Sequence, residues 1–324
     1  MVHGMARAWL TVAVAVSCLA GCTADGGIVV AGEQFATNAP VVTYLDPDGY
    51  DGQREGCWFR ADRLLPTRPA SGCDTPRRYS ERRTGGLAPD VAAAVADQGW
   101  TLELLRQRVD QVVVHFDVCG CSKRCFEVLH DVRGLSCHFL IDVDGTVYQT
   151  LDLAARARHA TIANDRSVGI EIAQIGAYPD TRILENWYAP AANGQMRITF
   201  PEALGDPGLR IPGFVGHTAR PGLFRGPQNG RDLVQYDFTP EQYRSLEQVL
   251  ASLRAVFPAI EARVPRDAGG QVPTGVLSRE AFRAFRGVLG HHHVQANKND
   301  PGPAFDWERI ATAVRGAAQS PYRP

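Results

Sequence analysis

Three consecutive histidines, a lysine and an aspartate crowd into one stretch, GHHHVQANKNDPGPAFDW from Gly290 to Trp307, in a chain of 324 residues with only nine histidines. In extended backbone, side chains two apart project to the same side. Lys298 and Asp300 are therefore expected to face one cleft while Pro301 and Pro303 restrict the chain. An ammonium and a carboxylate on one face need partners, and a zinc ion beside Asp300 with an upstream histidine makes half of a tetrahedral site. His115 ends the apolar run VVVH and offers a second imidazole where an ionisable group is otherwise poorly accommodated. Two neutral imidazoles and one carboxylate leave a positive centre with an open fourth position, which is the pattern of catalytic zinc. Taken alone, His115 also reads as a hydrogen-bonded core histidine.

The elements that must position these residues are legible from periodicity. QVVVHFDV, Gln111 to Val118, is a β-branched run suited to a buried strand, and Ser122 is expected to cap a short helix running to Leu129. CHFLIDVDGTVYQTLD gives two strand-like runs around Asp144-Gly145, a type I′ hairpin signal. SVGIEIAQIG, Ser167 to Gly176, reads as a third strand with Glu171 inside it. Thr239 and Pro240 open a helix whose buried face would carry Tyr243, Leu246, Val249, Leu250 and Leu253. Ser278 caps a further short helix, and DWERIATAVRG closes the chain with another. The expected fold is α/β, a mixed central sheet flanked by helices in a single domain at 86–318, with a long insertion at about 177–236.

Residues 22–85 are rich in Gly, Pro, Asp and Arg and read as a tether and irregular N-terminal extension, with the core beginning near Leu87. Ahead of them, Arg7 and the apolar AWLTVAVAVSCLAG form a signal peptide over 1–21. LAGC, Leu19 to Cys22, resembles the lipobox of bacterial lipoproteins. It implies acylation of Cys22 and a lipid-anchored periplasmic protein, with Thr23 leaning toward the outer membrane over the inner; a plain signal peptide is the alternative. In an oxidising compartment the first pairings expected are Cys57 with Cys73 and Cys119 with Cys125, with metal binding by CGCSKRC the other reading of that cluster. Lys plus Arg number 34 against 35 acidic residues, a formal net charge of -1, so nothing suggests a grip on nucleic acid. A monomer is expected.

VVVH, HFLIDVDGTVYQ, ARHAT, SVGIEI and GHHHVQANKNDPGPAFDW occur in the order and approximate spacing of the zinc-dependent N-acetylmuramoyl-L-alanine amidases of the type 2 family. The resemblance runs from about Gln111 to Gly316, with the long insertion as a departure. It implies zinc held by His115, His291 and Asp300, Lys298 as oxyanion stabiliser, and Glu171 as the acid-base group acting on water. Cys137 stands where other branches carry a catalytic tyrosine, which aligns this chain with the glutamate subgroup. His293 competes with His291 as ligand, and if the segment is extended His292 points away from both. His159 falls on a histidine that touches substrate or water in the cleft, or else is structural. The resemblance further implies peptidoglycan or a muropeptide as substrate.

Other motifs rate lower. His217 in GHTARPG lacks a following Lys-x-Asp, DVDG reads as a turn more readily than a calcium loop, and Trp187 with Tyr188 either stack on a sugar or pack the insertion. Two other functions are compatible with the same residues: a non-catalytic peptidoglycan-binding module, and a zinc hydrolase of a different amide.

Overall fold

The computed structural model describes residues 27–59, 73 and 78–316. The expectations on residues 1–21, Cys22 and Thr23 lie outside the described residues. Among the described residues no helix is long and apolar enough to cross a membrane.

The N-terminal extension is more ordered than its composition suggests. β1 (Gly27–Val30) and β2 (Glu33–Ala36) form a hairpin whose two turn residues, Ala31 and Gly32, both have positive φ. β3 (Val41–Thr43) follows, and β4 (Tyr79–Glu81) lies near the end of the extension. Ile28 and Val30 are fully buried in the main hydrophobic cluster, so the core begins with these residues and not near Leu87. Alternating apolar residues are too few here to stand out from the Gly- and Pro-rich background, which is why the segment reads as irregular. Cys57 and Cys73 form a disulfide, as expected.

Two short helices, α1 (Pro89–Gln98) and α2 (Leu102–Arg106), lead into β5 (Gln111–Phe116), which is buried along its whole length. α3 (Ser122–Glu127) runs on into a π-helical turn, Val128–Arg133. Ser122 is the first residue of α3 and not its cap: Cys121 holds the cap position, and Asp142 accepts from the Ser122 amide at 3.2 Å. Cys119 and Cys125 meet as thiols and not as the expected disulfide. No metal-binding group of side chains is found at CGCSKRC among the described residues.

β6 (Phe139–Ile141) and β7 (Val147–Gln149) pair antiparallel. Their turn is not type I′, because only Gly145 has positive φ, and its amide donates to the Asp142 carbonyl at 2.9 Å. That is a type I turn closed by a left-handed glycine, the longer hairpin connection. The Asp142 and Asp144 carboxylates accept from backbone amides, Asp144 Oδ2 from both Arg210 and Ile211, so DVDG is a turn and not a cation loop. β8 (Ala155–Ala157) pairs antiparallel with β4, and β9 (Ser167–Ile172) returns to the centre.

The long segment between β9 and α4 forms two small hairpins, β10 (Tyr188–Pro190) with β11 (Met196–Ile198) and β12 (Phe224–Gln228) with β13 (Arg231–Gln235). The second has the type I′ signature: Asn229 and Gly230 both take positive φ between the paired residues Gln228 and Arg231. Tyr188 is buried against Tyr236, and the Trp187 ring packs on Gly120.

α4 (Pro240–Val256) opens with a capping box between Thr239 and Gln242 and buries all five expected face residues. α5 (Arg279–Ala284), capped by Ser278, precedes β14 (Gly287–Gly290), α6 (His291–Val294) and α7 (Trp307–Gly316). The central mixed sheet has six strands in the order β14-β5-β9-β6-β7-β3, parallel throughout except for the β6–β7 pair.

Alternation along the strands separates the two faces of this sheet. Val112, Val114, Phe116, Val168 and Ile170 join one apolar cluster with the inner face of α4. The residues between them, His115 on β5 and Ser167, Gly169 and Glu171 on β9, turn to the opposite face.

Candidate metal centre

Parallel pairing of β5 and β9 sets His115 directly beside Glu171. β14 runs parallel to β5 on its other side and passes straight into α6, which brings His291 to the same end of the sheet. Gly290 permits this turn, because a Cβ there would stand 2.7 Å from Pro301 Cδ and 2.8 Å from the His292 ring.

Three expected ligands converge. His115 Nδ1 lies 2.8 Å from Asp300 Oδ2, His291 Nδ1 lies 2.9 Å from the same oxygen, and the two Nδ1 atoms are 2.9 Å apart. All three residues are buried.

The protons can be followed outward from this cluster. Ser167 Oγ donates to the Ala163 carbonyl at 2.8 Å, so it accepts from His159 Nε2 at 3.2 Å. His159 Nδ1 is then an acceptor and takes the Nε2 proton of His115 at 3.0 Å. On the other side, Gln295 Oε1 takes the Nε2 proton of His291 at 2.7 Å. A neutral imidazole carries a single N–H, so both Nδ1 atoms present lone pairs toward the Asp300 carboxylate. Three acceptors this close repel one another unless a cation sits among them. The donor set, two imidazoles and a carboxylate, fits a divalent metal with room for a further ligand.

Electrostatics agree with neutral rings. Burial, followed by repulsion from His291, pushes the His115 imidazole down to about 4. Burial and the neighbouring His115 hold His159 well below its usual value. Glu171 moves the other way: burial first, then the charges of Asp300 and Asp117, raise its carboxyl well above the usual range, with Lys298 opposing. Its Oε2 is shielded from solvent and has no hydrogen-bond partner among the described residues.

The histidine run is helical, and this separates the three rings. Successive residues of a helix fan out by about 100°, so the expectation of an extended segment does not hold. His293 stands outside the His115–His291–Asp300 group, accepting from the Gly290 amide at 2.9 Å and donating to the Pro273 carbonyl at 2.8 Å. His292 contacts the Asp300 carbonyl at 3.0 Å. His217 pairs with Arg197 in the insertion, away from the cluster. Lys298, His291 and His159 line one cavity of about 900 Å³.

Two supporting residues escape a reading by sequence motif. Gln295 stands four residues after His291, a helical spacing hidden by treating the run as extended. Asn229 announces itself only as a turn residue, yet its Nδ2 reaches the carbonyls of His292, Gln295 and Lys298 at 3.1, 3.1 and 2.6 Å. It thereby braces the His291–Asp300 segment from the β12–β13 hairpin.

The family model described as N-acetylmuramoyl-L-alanine amidase matches residues 105–303, more than half of the chain. No curated protein matches the chain significantly. Among solved structures, AmpD is similar at 18% identity and a TM-score of 0.34, over 73% of this chain and 90% of that one. The endolysin LysCS of Clostridium intestinale URNW is similar at 16% identity and a TM-score of 0.34, over 65% and 86%. AmiD of E. coli, solved with anhydro-N-acetylmuramic acid-L-Ala-D-gamma-Glu-L-Lys, is similar at 17% identity and a TM-score of 0.36, over 64% and 57%.

Proposed function

Because the chain belongs to the N-acetylmuramoyl-L-alanine amidase family, we propose that it is a zinc enzyme cleaving the amide between N-acetylmuramic acid and L-alanine in peptidoglycan or its muropeptide fragments. The observation that carries this reading is the convergence of two imidazole lone pairs and one carboxylate oxygen at His115, His291 and Asp300. Zinc held there would polarise the scissile carbonyl and make water acidic near neutral pH.

The protein's own groups supply the rest. Glu171, beside His115 in register and with a raised affinity for protons, takes the proton of the attacking water and returns it to the departing alanine nitrogen. Lys298, on the same cavity wall as His291, places a positive charge where the carbonyl oxygen becomes negative. His159 and Gln295 hold the two imidazoles in the tautomer that leaves Nδ1 free for metal.

The proposal extends to location. The Leu19–Cys22 motif supports a lipid anchor at Cys22 in the periplasm, with Thr23 favouring the outer over the inner membrane. Purified protein incubated with muropeptides should release free stem peptide by mass spectrometry, with one zinc per chain by metal analysis and loss of activity on chelation. Intact substrate after prolonged incubation with the zinc-loaded protein would sink the proposal.

A further inference from the structure

The family match begins at residue 105, yet one wall of the cavity is built from residues 79–83. β4 lies antiparallel on β8, with Tyr79 opposite Ala157 and Glu81 opposite Ala155, and so runs along the cleft. Tyr79, Ser80 and Arg83 line the same cavity as His291 and Lys298.

This wall is fixed in place. The buried Arg82 guanidinium donates to the carbonyls of Leu153 and Ser167 at 3.1 and 3.0 Å. Arg78 donates to the carbonyls of His130, Arg54 and Gly56 at 2.9, 2.9 and 2.7 Å. The Cys57–Cys73 disulfide closes the chain just upstream.

The charge of the cavity is lopsided. Arg83, Arg133, Arg156, Arg158 and Lys298 line it, and among the described residues no Asp or Glu does, although the whole chain carries a formal net charge of -1. Arg156 is paired with Asp165 at 2.5 Å. Arg83 and Arg133 have no side-chain ion pair to another described residue, and both are exposed. A planar guanidinium matches a carboxylate in two-point contact, and two such groups in a concave, solvent-reached site suit a ligand with more than one free carboxylate.

We propose that residues 79–83 form a substrate wall outside the family-matched region, at which Arg83 together with Arg133 pairs the free carboxylates of the peptide released by the reaction. The enzyme then selects muramoyl peptides with free carboxylates over the same compounds capped as carboxamides. This rests on the amidase reading for its substrate but on the cavity's own charge for its chemistry.

Two measurements test it on the zinc-loaded protein. The first compares kcat/KM for a muramoyl-L-Ala-D-γ-Glu-L-Lys substrate with that for its carboxamide-capped form. A preference for the acid of roughly tenfold is expected, the size of one charge-assisted contact. Arg83→Gln and Arg133→Gln should each shrink that ratio to within about twofold, and Arg83→Lys, which keeps the charge but loses the planar fork, should keep only part of it. The second titrates the peptide L-Ala-D-γ-Glu-L-Lys and its capped form by calorimetry, which needs no turnover. Tighter binding of the acid, lost in Arg83→Gln, upholds the wall even if no hydrolysis is seen, in which case only the amidase reading falls. Equal binding of acid and amide by the unaltered protein, or no binding of either, overturns the inference even if hydrolysis proceeds.

Discussion

His159 Nδ1 lies 3.0 Å from His115 Nε2, on the side of the His115 ring away from Asp300. This single contact decides which nitrogen of His115 is left for a metal. Replacing His159 by Phe should therefore weaken zinc binding by about 10- to 100-fold without touching a ligand. Competition against a chelator of known affinity reads the change, and an unaltered affinity would show that the His115 tautomer is set elsewhere.

Gly169 offers an independent route to the same contact. A Cβ at Gly169 would stand 2.6 Å from His159 Nδ1, so Gly169→Ala must push the imidazole off its seat. The expected cost is about 1–3 kcal/mol of stability together with reduced zinc affinity. Denaturation and chelator competition on one preparation separate the two effects; full retention of both would contradict the packing described.

Glu171→Gln keeps shape while removing the group that moves protons. Turnover should fall by about 10²- to 10⁴-fold, with zinc content unchanged. Steady-state rates paired with metal analysis check this, and near-normal turnover would take Glu171 out of the mechanism.

Acid should destabilise the fold through His138. The His138 Nδ1 accepts from the Gly169 amide at 2.9 Å and its Nε2 lies 3.1 Å from the Ala155 carbonyl, so the buried ring is neutral. Burial, then the charge of Arg82, pushes it down to about 3, against about 6.5 in an unfolded chain. The unfolded state thus binds the proton more readily. The contribution is intact above about pH 6.5 and declines as pH falls toward 3, by a few kcal/mol in all. Urea unfolding across that range should show the decline, and His138→Asn should flatten its slope. An unchanged slope would assign the acid sensitivity to other groups.

Arg82→Met removes the donor that satisfies the Leu153 and Ser167 carbonyls inside the protein. Each buried carbonyl left unpaired costs about 1–3 kcal/mol, so a large drop in the unfolding midpoint is expected. A variant as stable as the parent would mean that the 79–83 wall is not held from within.

Part of this site was readable because His115 and Glu171 sit on strands, whereas Lys298 and Asp300 lie outside helices and strands. Alternation in VVVH and SVGIEI places His115 and Glu171 on one face, and strand pairing needs only to bring the two runs into register. The histidine run resisted the same treatment. Four residues of helix are too short to show periodicity, so His291, His292 and His293 look like extended chain until β14 is seen to turn at Gly290. The type I′ turn was expected at the wrong place for a related reason: Asp144-Gly145 and Asn229-Gly230 carry similar signals, and only the register of the flanking strands shows that the second is the two-residue hairpin. The thiol pair Cys119 and Cys125 is close in sequence and in space, and proximity alone did not join them.

Asn229 sits at the tip of the β12–β13 hairpin, yet one amide nitrogen there touches three carbonyls of the segment that carries His291 and Lys298. The segment between β9 and α4 therefore acts as a clamp on that stretch. Anyone shortening it would have to provide another donor at that point, or accept a lysine and an aspartate that drift from their appointed positions.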